Sequence, residues 1–286
     1  MELALCVRNL PANDVAAVGR FAEEHGYGEV FVPDGARGGG TDAEGRLIGR
    51  DALVSFAAMF AATSRVRGTL GVAAVPMHHR LVLPTLASTL HEMSGGRFTL
   101  GLGVSHAEQT ARFGIDFPAR PIDTMSEWLR DLSARSRDGM AYGGGWPVML
   151  AALGPRMVQL GAQESDGLIL NWLTPQHAAA SVAMARAAAP AGRVPRVALY
   201  VRLMTAEVAR RDVHMYDAMA NYHRNFVAQG LTEPDQIVAQ ATLPRDDIGA
   251  ARARLEEYRA SGLDTVCIYP MGFDADDRRA IEALNR

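Results

Sequence analysis

Eight strand-like apolar runs, helical patterns between them and a length of 286 residues together predict an α/β fold. It is read as a (β/α)8 TIM barrel with loop and helical insertions at the carboxyl face, an architecture of roughly 250 residues. A doubly wound open sheet is the other way to arrange the same alternation. No linker or break in composition divides the chain, so residues 1–286 are read as a single domain.

The first strand is Leu3–Val7. Val15, Val18, Phe21 and Ala22 form the apolar face of the helix after it, and Gly26 stops that helix. Strand two is Glu29–Pro33, followed by a polar, glycine-rich loop over Gly35–Gly49. Leu53, Phe56, Ala57 and Phe60 mark the next helix and Val66–Ala74 the third strand. Leu83, Leu86, Ala87, Leu90 and Met93 then form an apolar stripe at helical spacing, and Gly95 and Gly96 supply the positive φ of a helix C-cap. Strand four, Phe98–Gly103, emerges into small residues. Gly101 and Gly103 there leave room for a close approach to the backbone at the strand's carboxyl end, where ligands bind in α/β proteins.

Arg135–Trp146 reads as irregular, and Pro147–Ala151 and Gly167–Leu170 as strands five and six. Thr174-Pro175 is a helix start, with threonine as N-cap and proline in the first turn. Val197–Met204 is strand seven. Glu207–Gly230 is a long helical insertion, rich in His, Tyr, Met and Asn. Ile248, Ala251, Leu255 and Tyr258 mark the last helix before the strand Thr265–Tyr269.

Composition narrows the function classes. Hydrophobic residues make up 48% and charged residues 21%, which fits a globular protein. A net charge of −3 gives no reason to expect nucleic acid or an anionic membrane as partner. No apolar run is long enough to span a bilayer, and the amino terminus lacks a basic leader, so a cytoplasmic protein is expected. Cys6 and Cys267 both lie in strand runs and read as two buried thiols, neighbours if the first and last strands pair. His91-Glu92 lacks a second histidine at metal-ligand spacing, so no metal is expected. Gly101-x-Gly103 is not a full dinucleotide fingerprint. The expected partner is a small-molecule substrate.

Three blocks carry a family resemblance. Pro84–Gly103 contains Ser-Gly-Gly-Arg-Phe-x-Leu-Gly-x-Gly; Ala151–Met157 is followed by Ser165-Asp166-Gly167; and Arg252–Ile268 contains Ser261-Gly262-Leu263-Asp264 before an apolar strand. In this order they resemble the bacterial luciferase-like flavin and deazaflavin oxidoreductases, and in detail the branch that uses coenzyme F420. The resemblance implies an F420-dependent oxidoreductase that transfers a hydride between the deazaflavin and a small organic substrate. The alternatives are an FMN-dependent monooxygenase of the same fold, using reduced flavin and oxygen, or a barrel that binds a flavin-like ligand without turnover. It also implies a homodimer. Asp34 would close strand two beside the cofactor ring, with Gly35 standing where the deazaflavin enzymes often carry a catalytic histidine. Gly71, Val72 and Ala73 would press on the ring, with a non-proline cis peptide at Val72–Ala73. Ser105 would meet the ribityl chain or phosphate, and Ala152, Leu153 and Gly154 the phosphate, at a helix start whose amides suit an anion. Arg156 either adds charge there or faces solvent.

Among groups able to do chemistry, His106 follows the strand-four glycines and Glu108 lies two residues on. Either is placed to exchange a proton with substrate. His78, with His79 and Arg80, either caps the site or is solvated. Trp172 stands at the end of strand six as a candidate aromatic wall. Arg202 either lines the mouth or makes a salt bridge in the helix layer. Tyr222, with His223 and Asn225, belongs either to a substrate lid or to a packing surface.

Overall fold

The alternation of patterns resolves, in a computed structural model, into one closed sheet. The structure describes residues 1–8, 10–34, 50–270 and 272–285. The strands are β1 (Glu2–Cys6), β2 (Glu29–Val32), β3 (Arg67–Ala74), β4 (Phe98–Gly103), β5 (Val148–Ala152), β6 (Gly167–Asn171), β7 (Arg196–Met204), β8 (Thr242–Pro244) and β9 (Thr265–Tyr269). Every pairing is parallel. β1 to β7 pair in sequence, β7 pairs with β9, and β9 returns to β1 with Ala4 opposite Cys267, which closes a barrel of eight strands. β8 is an extra three-residue strand on the carboxyl end of β7. The expected fold is therefore the one observed, with a ninth short strand that the sequence pattern did not announce.

The helices are α1 (Ala12–Glu24), α2 (Ala52–Ala61), α3 (Val82–Met93), α4 (Ala107–Ala111), α5 (Pro121–Ala134), α6 (Pro155–Glu164), α7 (Pro175–Ala188), α8 (Ala206–Asp217), α9 (Ala220–Ala228), α10 (Pro234–Ala241), α11 (Ile248–Ala260) and α12 (Ala275–Leu284). The punctuation read from sequence is present. Gly26, Gly95 and Gly96 adopt φ of +78°, +66° and +85°, and Thr174 accepts from His177 N–H at the start of α7. The predicted helical insertion is two helices, α8 and α9, which meet at Ala218 and Met219. On α3, Leu83, Ala87 and Leu90 are buried. Leu86 and Met93, expected on the same stripe, lie on the exposed side. The Gly35–Gly49 loop lies outside the described residues.

Two apolar layers result. One lies between sheet and helices. The other fills the barrel with Ala4, Cys6, Phe31, Met149, Ile169, Ala198, Tyr200, Cys267 and Tyr269. Cys6 and Cys267 are thus neighbours inside the barrel, both as free thiols. Burial, with Cys6 beside it, pushes the Cys267 thiol well above its ordinary value. At the amino-terminal end a polar plug closes the barrel. The fully buried Glu29 binds Arg196, Thr69 and Arg67, and Arg196 also donates to Thr265 Oγ1 at 2.7 Å. Among the described residues, no helix is long and apolar enough to cross a membrane, and no three His, Cys, Asp or Glu side chains gather as a metal site.

β3 is irregular. Its register against β4 shifts between Leu70 and Ala73, and the cis peptide lies at Gly71–Val72, one bond earlier than expected. The Tyr200 hydroxyl donates to Gly71 O at 2.8 Å, and a Cβ on Gly71 would lie 1.9 Å from that hydroxyl. Gly101 and Gly103 also serve this bend. A Cβ on Gly101 would meet Leu70 O at 2.2 Å, and one on Gly103 would meet Val72 Cγ2 at 2.6 Å. What approaches the β4 backbone here is the neighbouring strand. Because the obstacle at Gly101 is backbone, Gly101→Ala is expected to destabilise the fold by about 1–3 kcal/mol, the usual cost of overpacking. Urea unfolding of the two proteins measures this; equal midpoints would show that β3 is free to withdraw.

Candidate functional site

In a parallel barrel the inward side chains nearest the carboxyl ends of the strands open onto one mouth. Most barrel-strand residues here are buried, but accessibility returns at Val72 and Ala74 of β3, Ala151 of β5 and Asn171 of β6. It continues through Val104, Ser105 and His106 after β4 and Leu153 after β5. The accessible strip is therefore floored by small and aliphatic groups and edged by Ser105, His106 and Asn171.

Alternation along β7 places Ala198, Tyr200 and Arg202 on one face, so Arg202 stands at the mouth above the barrel core. Its guanidinium is 1% exposed. It donates to Asp212 Oδ2 on α8 at 3.2 Å and to Asn171 Oδ1 on β6. It lies 4.1 Å from the Trp172 ring centroid and 5.1 Å from those of Tyr216 and Tyr269. Burial opposes its charge, but the phenols of Tyr216 and Tyr269 and the Asp212 carboxylate outweigh it and raise its pKa. Arg202 both lines the mouth and makes a salt bridge.

The chain of contacts continues. Asn171 Nδ2 donates to the Tyr222 hydroxyl at 2.8 Å, and burial pushes that phenol well above its ordinary pKa. The Tyr222 ring lies 5.3 Å from the His106 ring. Asn221, beside it on α9, places Nδ2 3.0 Å from His106 Nδ1. Burial holds His106 below the ordinary imidazole value against the pull of the Glu108 carboxylate. The insertion α8–α9 is thus a cap tied to the ends of β6 and β7 and to the loop after β4.

Two side chains near the mouth keep unsatisfied polar atoms. Ser105, at φ +69°, has a buried Oγ with no hydrogen-bond partner among the described residues. Trp172, at φ +54°, has a buried Nε1 in the same condition. Non-glycine residues at positive φ are uncommon, and both follow a strand end. α6 begins at the exposed Gly154 with no side-chain cap, and its first intrahelical bonds come from Met157 and Val158 N–H to Gly154 O. The Arg156 amide is thus one of the helix's unsatisfied first donors, while Arg156 itself is exposed.

The candidates read from sequence divide between this mouth and its surroundings. Val72, Ser105, His106, Leu153 and Gly154 are accessible around it, and Tyr222 is buried just behind His106. Glu108 is exposed on the first turn of α4. Gly71, Ala73 and Ala152 are buried, Gly71 against Tyr200 and the two alanines in the layer beneath the helices. Trp172 is 1% exposed and packs under the cap against Arg202, Tyr216 and Phe226, so it is not an open wall. His78 leaves its sequence neighbours: its Nε2 lies 2.5 Å from Asp34 Oδ2, joining the ends of β2 and β3 in a buried pair. Arg80 turns outward to Glu127 and the Trp128 ring. Asn171 and Asp212 were not singled out from the sequence. The only sign of Asn221 was its place in the Asn/His-rich insertion.

Residues 6–265 match the model of the luciferase-like monooxygenase family. The chain is 25% identical over 203 residues to a 5,10-methylenetetrahydromethanopterin reductase of Methanolobus tindarius, covering 65% of this chain and 59% of that protein. It is 31% identical over 116 residues to the 4-hydroxyprotoasukamycin monooxygenase of Streptomyces nodosus subsp. asukaensis, covering 40% and 29%. The chain thus spans less than two thirds of the length of either relative. An F420-dependent secondary alcohol dehydrogenase, solved with an F420-acetone adduct, superimposes with a TM-score of 0.78 over 99% of this chain and 98% of that one. At 15% identity this is a likeness of fold. With the barrel, the bent third strand and a family match over nearly the whole chain, the protein belongs to the luciferase-like monooxygenase family.

Proposed function

We propose that this protein is an oxidoreductase dependent on coenzyme F420 that transfers a hydride between the deazaflavin and a small organic substrate. The observation that carries the reading is the accessible apolar floor of Val72, Ala74 and Ala151, bordered by the unpartnered Ser105 hydroxyl. The residues present fit such a group. A planar ring system finds a face of small aliphatic side chains, its polar tail finds Ser105, and its phosphate finds the uncapped start of α6. When bound in reduced form, the deazaflavin supplies the hydride. The chain's own residues do the rest: Val72, Ala74 and Ala151 orient one face of the ring, and the cap of α8 and α9 excludes water. His106 contacts the reacting group of the substrate.

The longer match, to the methanopterin reductase, supports hydride transfer over oxygenation. The match to the Streptomyces monooxygenase favours a second reading, an FMN-dependent monooxygenase using reduced flavin and oxygen on the same floor. A homodimer is part of the proposal. Val82, Leu86 and Met93 on α3, with Leu81 before it and Val54 on α2, are large apolar side chains left exposed, and such patches mark interaction surfaces.

Fluorescence titration separates the cofactors. F420 is expected to saturate at micromolar or lower concentration, with FMN much weaker; tighter FMN binding would replace the first reading by the second. Ala151→Phe fills the floor and is expected to weaken F420 binding at least about tenfold, or about 1.4 kcal/mol, with circular dichroism unchanged. Undiminished affinity would place the ring elsewhere. His106→Ala is expected to lower turnover about 100-fold or more while cofactor affinity holds, and unchanged turnover removes His106 from the reaction. Sedimentation is expected to show a dimer that Leu86→Arg dissociates; a monomeric wild type ends that part of the proposal.

A further inference from the structure

The two ring nitrogens of His106 stand in different surroundings. Nδ1 faces Asn221 Nδ2 at 3.0 Å, and an amide nitrogen carries hydrogens and no acceptor lone pair. In this orientation Asn221 donates, so Nδ1 presents its lone pair and the proton of a neutral imidazole is on Nε2. We infer that Asn221 is a positioning residue that fixes His106 as the Nε2–H tautomer, making it a neutral hydrogen-bond donor to the reacting group of the substrate. The inference rests on the reading of the mouth given under Proposed function and deepens it by naming the substrate's reacting group. That group offers a lone pair to a donor, as a carbonyl oxygen or an imine nitrogen does. A neutral donor is a recognised means of polarising such a group.

The surroundings of the ring support this state. On α9, Asn221 and Tyr222 face it; on α4, Glu108 stands exposed on the first turn; behind Tyr222 lie Asn171 and Arg202. Burial is the largest influence on the ring and disfavours its charged form, against the Glu108 carboxylate and against a hydrogen bond that would favour the charged form if Asn221 turned its amide oxygen to Nδ1. Protonating Nδ1 would set two N–H groups against each other across 3.0 Å.

The test reads the tautomer directly. Full-length protein labelled with ¹⁵N in histidine, without cofactor, is followed by two-bond ¹H–¹⁵N correlation across pH. His106 is assigned by its loss in His106→Gln. The wild type is expected to show His106 neutral at pH 7 with the proton on Nε2. In Asn221→Asp the carboxylate accepts from Nδ1–H instead, so the tautomer reverses and the pH at which His106 titrates rises by about one or more. Asn221→Leu is expected to give a mixture of tautomers. The remaining histidine signals serve as the check that each variant is folded. With a carbonyl substrate, Asn221→Asp is expected to lower kcat at least about tenfold with KM little changed. A wild-type ring protonated on Nδ1, or a tautomer indifferent to both substitutions, would overturn the inference. Because the tautomer is read without cofactor, F420 that fails to bind refutes the proposed function separately from this assignment.

Discussion

The buried guanidinium of Arg202 is the constraint on which the carboxyl half of the molecule depends. Removing such a charge from water is costly unless it is paired and hydrogen-bonded. Here one side chain on β7 finds its partners on two other elements and the residue after one of them: Asp212 on α8, Asn171 at the end of β6 and the Trp172 ring just beyond it. Each partner is committed in turn. Asn171 spends its amide on Tyr222, Tyr222 packs beside His106, and Asn221 holds the His106 ring. The position of the cap and the orientation of one candidate reacting group thus follow from satisfying a single buried cation. Losing Asp212 or Asn171 would leave that cation short of a partner and loosen the cap that faces His106.

A second polar cluster sits at the opposite pole. Glu29, Arg196, Arg67, Thr69 and Thr265 close the amino-terminal end of the barrel, with apolar side chains filling the space between the poles. The division follows the general logic of these barrels, in which the amino end serves stability and the carboxyl end serves chemistry. The cavity of about 210 Å³ lined by Glu23, Tyr27, Gly28, Arg65 and Arg67 lies at the stability end, which is why the accessible strip at the carboxyl mouth, rather than this cavity, is the candidate site. The bend in β3 links the two regions. Tyr200, from the barrel core, holds Gly71 O from inside, and Gly101 and Gly103 let the bend lie against β4, so that Val72 reaches the floor.

The fold was legible in the sequence because its signals are local. Apolar spacing marked the helices, glycines at Gly26 and Gly95 marked their ends, and Thr174-Pro175 marked a start. β8 escaped because three residues ending in proline carry no alternation to read. Leu86 and Met93 misled because helical spacing identifies an apolar side without saying which of its members meets the sheet. At the site, His106 was legible from its place after the strand-four glycines. Its partner Asn221 was not, because a contact between residues 115 positions apart leaves no periodicity behind. Arg202 showed the same limit: a charge inside a strand signals an unusual environment, but only the folded chain decides between the mouth and a salt bridge, and here it is both.

The charge balance of the mouth bears on what it recognises. Arg202 is enclosed by Asp212, Asn171 and three aromatic rings at 1% exposure, so it is already satisfied and offers no fork to an incoming anion. Arg80 faces outward to Glu127 and Trp128. Asp34 and His78 are engaged with each other. Of the groups around the accessible floor, the Ser105 hydroxyl and the Asn171 amide carry no charge and burial disfavours the charged form of the His106 ring, while Arg8, just past the end of β1 and over the Tyr269 ring, brings a cation to this end of the barrel. Under the proposed function, the charged tail of the cofactor would meet the backbone amides at the uncapped start of α6. On the same proposal, the His106 ring, whose charged form burial disfavours, would stand toward a substrate group that offers it a lone pair.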